Sequence, residues 1–339
     1  MDYPQNYNSA PGQRAALRED AGFIGASFLL MLGLLQTALV PVILVLSMLG
    51  VADPLSEDGR YGLGNTGFLL AYMAAYILAM GLPGPLAARL TRRRMNPFSR
   101  LDEDTPPPRA SSLLLSLLGG LAICILANFA TSYLMTFFSV FGIEQPPMPS
   151  YQEPTIPSLL LNILIFAVLP AVLEEMLFRG YILRVLRPYG GRFAIVTSSL
   201  LFGLMHGNIL QIPFAFLVGL ACGWLVLRTG RVWPAMLLHF LNNFMAQILE
   251  YGSLYQTEAQ YQKTLLIVFS LLGILGLAAL FVLFAREDPM VRGKVRPAPS
   301  LPLGERVKAF LSSPLLLAAV IVGLVLTFLS ILTTQLGAA

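Results

Sequence analysis

The stretch LEEMLFRG, residues 173–180, places two adjacent glutamates and one arginine inside an apolar run that begins near Pro157. A charged side chain in the hydrocarbon of a bilayer costs at least about 2.5 kcal/mol on insertion scales. An acid in such a run is therefore a candidate functional residue, provided that it has partners. The chain contains only two histidines, His206 and His239, and both follow in further apolar runs. The acids and the histidines are candidates for one site.

The composition is that of a membrane protein. Of the 339 residues, 56% are hydrophobic and 12% are charged, and the mean hydropathy is +0.72. A soluble globular domain usually carries about 25% charged residues. The sequence therefore predicts an all-α, polytopic membrane protein that is embedded in the lipid bilayer. Cys124 and Cys222 both lie in apolar runs, which excludes a disulfide framework and a CxxC zinc pattern.

Several apolar runs approach the ~20 residues that a helix needs to cross a bilayer. We predict about nine transmembrane helices, two of them short. The first run is too long for the apolar part of a cleaved signal peptide, so we expect it to remain as a span. The predicted spans are residues 21–49, 67–82, 112–141, 157–186, 193–205, 212–227, 232–249, 264–285 and 314–332.

The basic residues alternate from loop to loop. Most arginines and lysines follow the second, fourth, sixth and eighth spans, and the loops between them hold few. By the positive-inside rule, this pattern predicts a cytoplasmic N-terminus and a C-terminus on the outside. A short run that fails to cross would reverse the orientation of everything after it. Because the bases lie where this rule places them, they indicate no nucleic-acid partner.

The distribution of polar residues divides the chain into four parts. We predict a disordered polar tail in residues 1–20 and scaffold transmembrane helices in residues 21–156. Residues 157–250 hold the acids, histidines and amides of interest, so we predict the functional core there. Residues 251–339 supply the last transmembrane helices, which a charged, proline-containing, cytoplasmic linker at 286–313 separates.

The acids and the arginine are placed for helical pairing. Glu175 and Arg179 are four residues apart with the acid on the N-terminal side, the favourable order for an ion pair. Such a pair could belong to a site or could be a charge-neutral lock between helices. Glu174 lies about 100° around the helix, so we expect it to be unpaired and a candidate general base. Pro170 lacks a backbone N–H and predicts a kink.

Two further pairs share a helix face through the same spacing. They are Phe202 with His206 and His239 with Asn243. A single histidine in a membrane helix is often bonded to a neighbouring carbonyl, so His206 alone does not define a site. His239 and Asn243 can both donate hydrogen bonds inward. They could equally form a polar contact between helices, which contributes about 0.6 kcal/mol on average.

Together these side chains offer the chemistry of water-activating hydrolysis. An acid and a histidine can deprotonate a water molecule, while a second histidine and an amide stabilise the developing oxyanion. Serine catalysis is disfavoured, because no nucleophile elbow surrounds Ser198 and Ser199. The HExxH pattern of the zincin proteases is absent from the sequence.

The same residues resemble three motifs of a known family. Glu174 to Arg179 matches EExxxR, Phe202 to His206 matches FxxxH, and His239 to Asn243 matches HxxxN, in the family's order. The family is that of the glutamate-type CAAX prenyl endopeptidases with the bacteriocin-processing and abortive-infection proteins, often called CPBP intramembrane proteases. The resemblance covers roughly residues 157–249.

The resemblance implies a helical intramembrane endopeptidase that acts on peptides or prenylated proteins, such as CAAX-type C-termini or leader peptides. It implies that Glu174 and His206 activate the water. It also implies that His239 and Asn243 hold the oxyanion. The residues that would support the site or contact the substrate are Glu175, Arg179 and Phe202.

Members of this family are often labelled metalloproteases, so a metal has to be weighed. Glu174, His206 and His239 could hold zinc with one position open for water. The alternative is a metal-free glutamate base, which we favour because Asn243 beside His239 suits an oxyanion hole better than a zinc shell. The sequence also reveals no further carboxylate to support a histidine ligand. We therefore expect no cofactor.

The depth of the residues in the bilayer sets a further condition. Counting about 1.5 Å per helical residue places Glu174 near the cytoplasmic surface and His206 much deeper. One site then requires a wet cavity lined by protein, which we predict to open to the cytoplasm.

The rival interpretation is a non-enzymatic membrane protein, either an immunity or binding scaffold or a small transporter. Such a protein would use the same polar cluster to bind an ion, a proton or a peptide. The inverted repeat of many transporters is not apparent in the sequence, which disfavours that option.

Overall fold

In the computed structural model the chain folds almost entirely into helices. The structure describes residues 9–91, 95–101, 107–143, 155–292 and 301–337, and no β-strand occurs within these ranges. The prediction of an all-α protein is therefore confirmed.

The helices are numbered along the chain and range from a single turn to long spans. One of them, α6, is continuous but combines α-helical, π-helical and 3₁₀ turns. The bounds are α1 Ala10–Thr37, α2 Leu39–Met48, α3 Asn65–Gly81, α4 Pro83–Leu90, α5 Ala110–Ser139, α6 Ile156–Tyr189, α7 Gly191–Met205, α8 Gln211–Thr229, α9 Trp233–Ser253, α10 Glu258–Ala285, α11 Pro289–Arg292, α12 Leu303–Leu311 and α13 Pro314–Gly337.

Within the described residues, seven helical segments are long and apolar enough to cross a membrane. They are α1, α3 continued by α4, α5, α6, α8, α10 and α13. The protein is therefore an integral membrane protein with several spans, as predicted.

Two of the predicted spans are not long and apolar enough to be counted among these seven. Helix α7 has 15 residues, which extend about 22 Å, less than the ~30 Å of the hydrocarbon core. Helix α9 has 21 residues, but it carries polar side chains that lower its hydropathy, among them His239, Asn242 and Gln247. The count of nine spans and the cytoplasmic N-terminus therefore stay predictions.

The first helix starts inside the segment predicted to be a disordered tail. Residues 1–8 lie outside the described part of the chain, but α1 begins at Ala10, and the Ser9 hydroxyl accepts a hydrogen bond from a backbone N–H of its first turn. The buried Asp20 carboxylate accepts a hydrogen bond from the Tyr189 hydroxyl at 2.7 Å. The prediction of disorder is wrong from Ala10 to Asp20, because capping and packing against the core stabilise a helix there.

The C-terminal part packs against the N-terminal helix. The predicted linker contains α11 and α12, while its residues 293–300 lie outside the described ranges. The Arg306 guanidinium of α12 donates a hydrogen bond to the Tyr189 carbonyl at the end of α6, at 2.8 Å. A Cβ at Gly25 of α1 would lie 2.3 Å from the backbone nitrogen of Leu316 in α13. These two helices are therefore in direct backbone contact.

Helix α6 is the element around which the site forms. It packs against α3, α4, α7, α8 and α9. Phe178, Ile182 and Leu186 of α6 are completely buried in the largest cluster of apolar side chains. The LEEMLFRG stretch therefore faces the interior of the helix bundle.

The contact between α5 and α10 offers a test of the packing. A Cβ at Gly276 would lie 2.4 Å from the Leu118 carbonyl oxygen, whereas nothing lies within 4 Å of a Cβ at Gly273 on the same helix. We expect Gly276→Ala to destabilise the protein by about 1–3 kcal/mol through overpacking. The matched Gly273→Ala should be neutral or slightly stabilising, because alanine favours a helix over glycine. Thermal unfolding of both variants in one detergent measures the difference, and equal midpoints would contradict this contact.

Candidate active site

The site is built on an irregular stretch of α6. Its α-helical turns at Leu169–Glu175 are flanked by π-helical turns at Leu164–Val168 and Met176–Leu183. Pro170 has no backbone N–H, so the carbonyl of Phe166, four residues earlier, has no α-helical donor. The first π-helical turns directly precede the proline, where the sequence predicts a kink, and such turns are frequent at functional sites.

Asn243 of α9 supplies the donor that Pro170 lacks. Its side-chain Nδ2 donates a hydrogen bond to the Phe166 carbonyl oxygen at 3.1 Å. Its Oδ1 accepts a hydrogen bond from Nδ2 of Asn242 at 3.0 Å. The amide predicted to point inward therefore joins α9 to α6 beside the acids.

The predicted ion pair between Glu175 and Arg179 is present and completely buried. Nη1 of Arg179 lies 2.7 Å from Oε1 of Glu175. Nη2 donates a hydrogen bond to the Gly219 carbonyl of α8 at 3.1 Å, and the guanidinium carbon lies 4.5 Å from the Phe202 ring centroid. A Cβ at Gly219 would lie 3.1 Å from Nη2 and 2.9 Å from Cβ of Ser199, so a glycine is needed for this approach. One arginine thus ties α6 to α7 and α8.

His239 completes a buried network with this pair. Its Nδ1 lies 3.0 Å from Oε1 of Glu175, the oxygen that also accepts from Arg179. A carboxylate paired with arginine can only accept a hydrogen bond. Nδ1 is therefore the ring nitrogen that carries a hydrogen and donates the hydrogen bond. Glu175 is therefore the supporting carboxylate of a histidine. The sequence does not reveal this carboxylate as a partner of a histidine, because helix packing and not spacing along the chain brings the two together.

The second ring nitrogen of His239 faces the other acid. Its Nε2 lies 3.8 Å from Oε2 of Glu174. This distance is too long for a direct hydrogen bond, and it is short enough for one water molecule to contact both atoms.

Glu174 is not the unpaired acid that the sequence predicts. Its Oε1 accepts a hydrogen bond from the hydroxyl of Tyr76 in α3 at 2.5 Å. The residue is 6% exposed. The sequence does not identify Tyr76 as a site residue, because it is one of twelve tyrosines and lies 98 residues before its partner. Its partner depends on the packing of α3 against α6.

His206 joins the site directly after the last residue of α7. Its Nδ1 lies 2.9 Å from the Phe202 carbonyl oxygen, which can only accept, so Nδ1 donates. The carbonyl contact considered as an alternative for His206 is therefore present, but it uses Nδ1 and leaves Nε2 for another partner. The Phe202 ring packs edge-to-face against both imidazoles, with centroid distances of 5.2 Å to His206 and 5.8 Å to His239.

The structure gathers all seven residues predicted from the motifs. Helix α6 supplies the acids and the arginine, α7 and the residue after it supply Phe202 and His206, and α9 supplies the histidine and the amide. The Phe202 ring contacts the imidazoles of His206 and His239, and Nε2 of His239 lies 3.8 Å from the Glu174 carboxylate. Helix α7 is short and ends directly before His206, so a depth counted along a full membrane span does not apply to this histidine.

The alternative of a bound metal can be compared with the positions of these side chains. Zinc would use Glu174, His206 and His239. Among the described residues, however, no three histidine, cysteine, aspartate or glutamate side chains are grouped so that they could hold a metal. The Tyr76 hydroxyl already holds one oxygen of Glu174. The same side chains are sufficient for acid–base chemistry on a water molecule.

A buried cluster of acids, histidines and an amide within a bundle of membrane helices is a candidate active site. Residues 156–245 match the family model described as "Type II CAAX prenyl endopeptidase Rce1-like". The match spans all three motifs and roughly a quarter of the chain. It confirms the resemblance to the CPBP intramembrane proteases that these motifs carry.

A curated relative also supports a membrane peptidase. It is "Putative membrane peptidase YdiL" of Bacillus subtilis (strain 168), which is 27% identical over 143 residues. The alignment covers 41% of this chain and 58% of the relative, so the chain spans little more than half of the relative's length. No solved structure matches the chain. The family model and this relative together support a membrane peptidase.

Proposed function

We propose that this protein is an intramembrane endopeptidase that hydrolyses peptide bonds of membrane-associated substrates with a water molecule activated by Glu174. The observation that carries the proposal is the 3.8 Å separation between Oε2 of Glu174 and Nε2 of His239 inside a buried cluster. A water molecule bonded to a carboxylate in such a site has a base that takes its proton as it attacks. The family match supports a peptide bond as the target.

Glu174 and His206 activate the water in this proposal. Because Tyr76 holds Oε1 of Glu174, Oε2 is the oxygen that takes the proton. His206 donates through Nδ1 to a backbone carbonyl, which leaves the lone pair of Nε2 to orient the water. The water oxygen bonds to the carbonyl carbon of the scissile bond. Glu174 then passes the proton to the departing amine, and the carbon–nitrogen bond breaks.

His239 and Asn243 stabilise the oxyanion that this attack creates. His239 already donates through Nδ1 to Glu175, so it can also donate through Nε2 only when both ring nitrogens carry a proton. Asn243 uses one N–H on the Phe166 carbonyl and has a second one for the oxyanion. A single donor of this kind typically contributes about 10²–10³ in kcat.

Three of the motif residues hold this machinery in place. Glu175 and Arg179 have no exposed surface, and Phe202 is 2% exposed. Complete burial favours a supporting role over contact with substrate. Phe202 acts as a spacer, because its ring lies against Arg179 and against both histidines.

The substrates in this proposal are peptides or prenylated proteins, for example CAAX-type C-termini or leader peptides. The matching family model is that of CAAX prenyl endopeptidases, which supports CAAX-type C-termini of prenylated proteins as substrates. The alternation of basic loops supports an active-site cavity that opens to the cytoplasm.

The opening of the site can be tested with a single cysteine. We expect an impermeant thiol reagent to modify Leu173→Cys from the cytoplasmic side. Modification from the outside alone would contradict the proposed opening.

The hydrolytic function can be tested without knowledge of the substrate. Wild type, Glu174→Gln and His206→Ala are expressed at equal membrane levels, and new protein termini in the membrane and secreted fractions are compared by mass spectrometry. We expect termini that only wild type produces, and a decrease of at least about 10²-fold in both variants, because Glu174→Gln lacks the base and His206→Ala lacks the lone pair that orients the water.

The matched control is Glu258→Gln, which changes an exposed glutamate in the first turn of α10. This control should produce the wild-type termini. Identical termini in wild type and Glu174→Gln would refute proteolysis and leave the non-enzymatic scaffold. The positions of the termini would distinguish C-terminal processing from leader-peptide removal.

We also propose that the reaction needs no metal. Purified protein should keep its cleavage activity after treatment with a strong chelator and dialysis, since the donors are not grouped for a metal ion. Metal analysis by mass spectrometry accompanies the assay. Loss of activity on chelation that stoichiometric zinc restores would contradict the glutamate-base mechanism and favour Glu174, His206 and His239 as ligands.

A further inference from the structure

Tyr76 reaches the site from a part of the chain that carries none of the motifs. It lies on α3, outside residues 156–245, which match the family model. Its hydroxyl is nevertheless 2.5 Å from Oε1 of Glu174. Hydrogen bonds from a hydroxyl to a carboxylate are short, about 2.5–2.7 Å, and roughly twice as strong as those between neutral groups. The contact therefore restrains one oxygen of the central acid.

This hydrogen bond gives the two oxygens of Glu174 different surroundings. Oε1 is held by Tyr76, while Oε2 faces Nε2 of His239 at 3.8 Å. The last torsion of a glutamate side chain is broad, so a carboxylate without a partner samples many orientations. Holding one oxygen thus fixes the direction in which the other one points.

Tyr76 is itself held by neighbouring side chains. The ring of Tyr72, one turn earlier on α3, lies 6.2 Å from it with an interplanar angle of 23°. Tyr72 in turn packs against Phe166 of α6 at 6.2 Å. Phe166 also provides the carbonyl that Asn243 binds. The aromatic contact and the amide contact therefore meet on one turn of α6, next to the acid.

We infer that Tyr76 is a positioning residue of the reaction, which holds Oε1 of Glu174 so that Oε2 points at the attacking water. The inference rests on the proposed function. A phenol suits this task because it keeps its proton at neutral pH and donates without adding a charge to the site. Tyr76 acts through Glu174 and does not touch the substrate.

The test compares two tyrosines of the same helix. Tyr76→Phe removes the hydroxyl and keeps the ring. With a substrate found from the terminus comparison, we expect kcat to fall about tenfold while KM stays within about twofold, because the orientation of Glu174 matters in the transition state and not in substrate binding. The matched control Tyr72→Phe removes a hydroxyl from the stacked neighbour and should leave kcat and KM unchanged.

A second pair of variants separates positioning from packing. Tyr76→Gln and Tyr76→Leu both lose the ring, but the glutamine amide can still donate to a carboxylate. Tyr76→Gln should therefore keep a higher kcat than Tyr76→Leu at equal thermal stability. A role in packing alone would reduce both by the same factor.

The outcomes distinguish this inference from the function on which it rests. Wild-type kcat in Tyr76→Phe, with an active wild-type enzyme, would overturn the positioning role and leave the proposed function intact. A decrease of kcat in Tyr72→Phe as large as that in Tyr76→Phe would also overturn it. Equal kcat values in Tyr76→Gln and Tyr76→Leu would do the same. If wild type cleaves nothing, the proposed function fails, and the positioning role fails with it.

Discussion

The buried carboxylate of Glu175 is the constraint on which the rest of this structure depends. It accepts from Arg179 at 2.7 Å and from His239 at 3.0 Å, and neither it nor the arginine is exposed. A charge in such a place needs partners, since an unpaired buried member of an ion pair costs about 3–5 kcal/mol. These partners fix the neighbouring helices. His239 brings α9 to α6, and Arg179 reaches α8 through the Gly219 carbonyl.

The same constraint divides the work of two adjacent glutamates. Glu175 is neutralised by Arg179, while Glu174, about 100° around the helix, faces Tyr76 and the free nitrogen of His239. One acid therefore links the helices, and the other is the acid that we propose to act on a water molecule. Pro170 adds a second link, because the carbonyl it leaves without a donor is bound by Asn243.

What the sequence predicts correctly follows from the geometry of single helices. The pairing of Glu175 with Arg179 depends only on spacing, and the long spans depend only on hydropathy. Contacts between distant helices, such as that of Tyr76 with Glu174, depend on packing that no spacing encodes. Helix α9 deviates from the span pattern because it carries buried polar side chains, among them His239 and Asn242, whose partners lie on other helices or are set by packing.

The most direct test compares Glu174→Gln with Glu175→Gln, two isosteric changes at adjacent residues. Thermal unfolding and the formation of new protein termini are measured on the same preparations. If one acid is the base and the other the buried counter-ion, Glu174→Gln keeps the wild-type unfolding midpoint and forms none of the wild-type termini, whereas Glu175→Gln unfolds at a clearly lower temperature. Equal stability of the two variants, or wild-type termini from Glu174→Gln, would contradict this assignment.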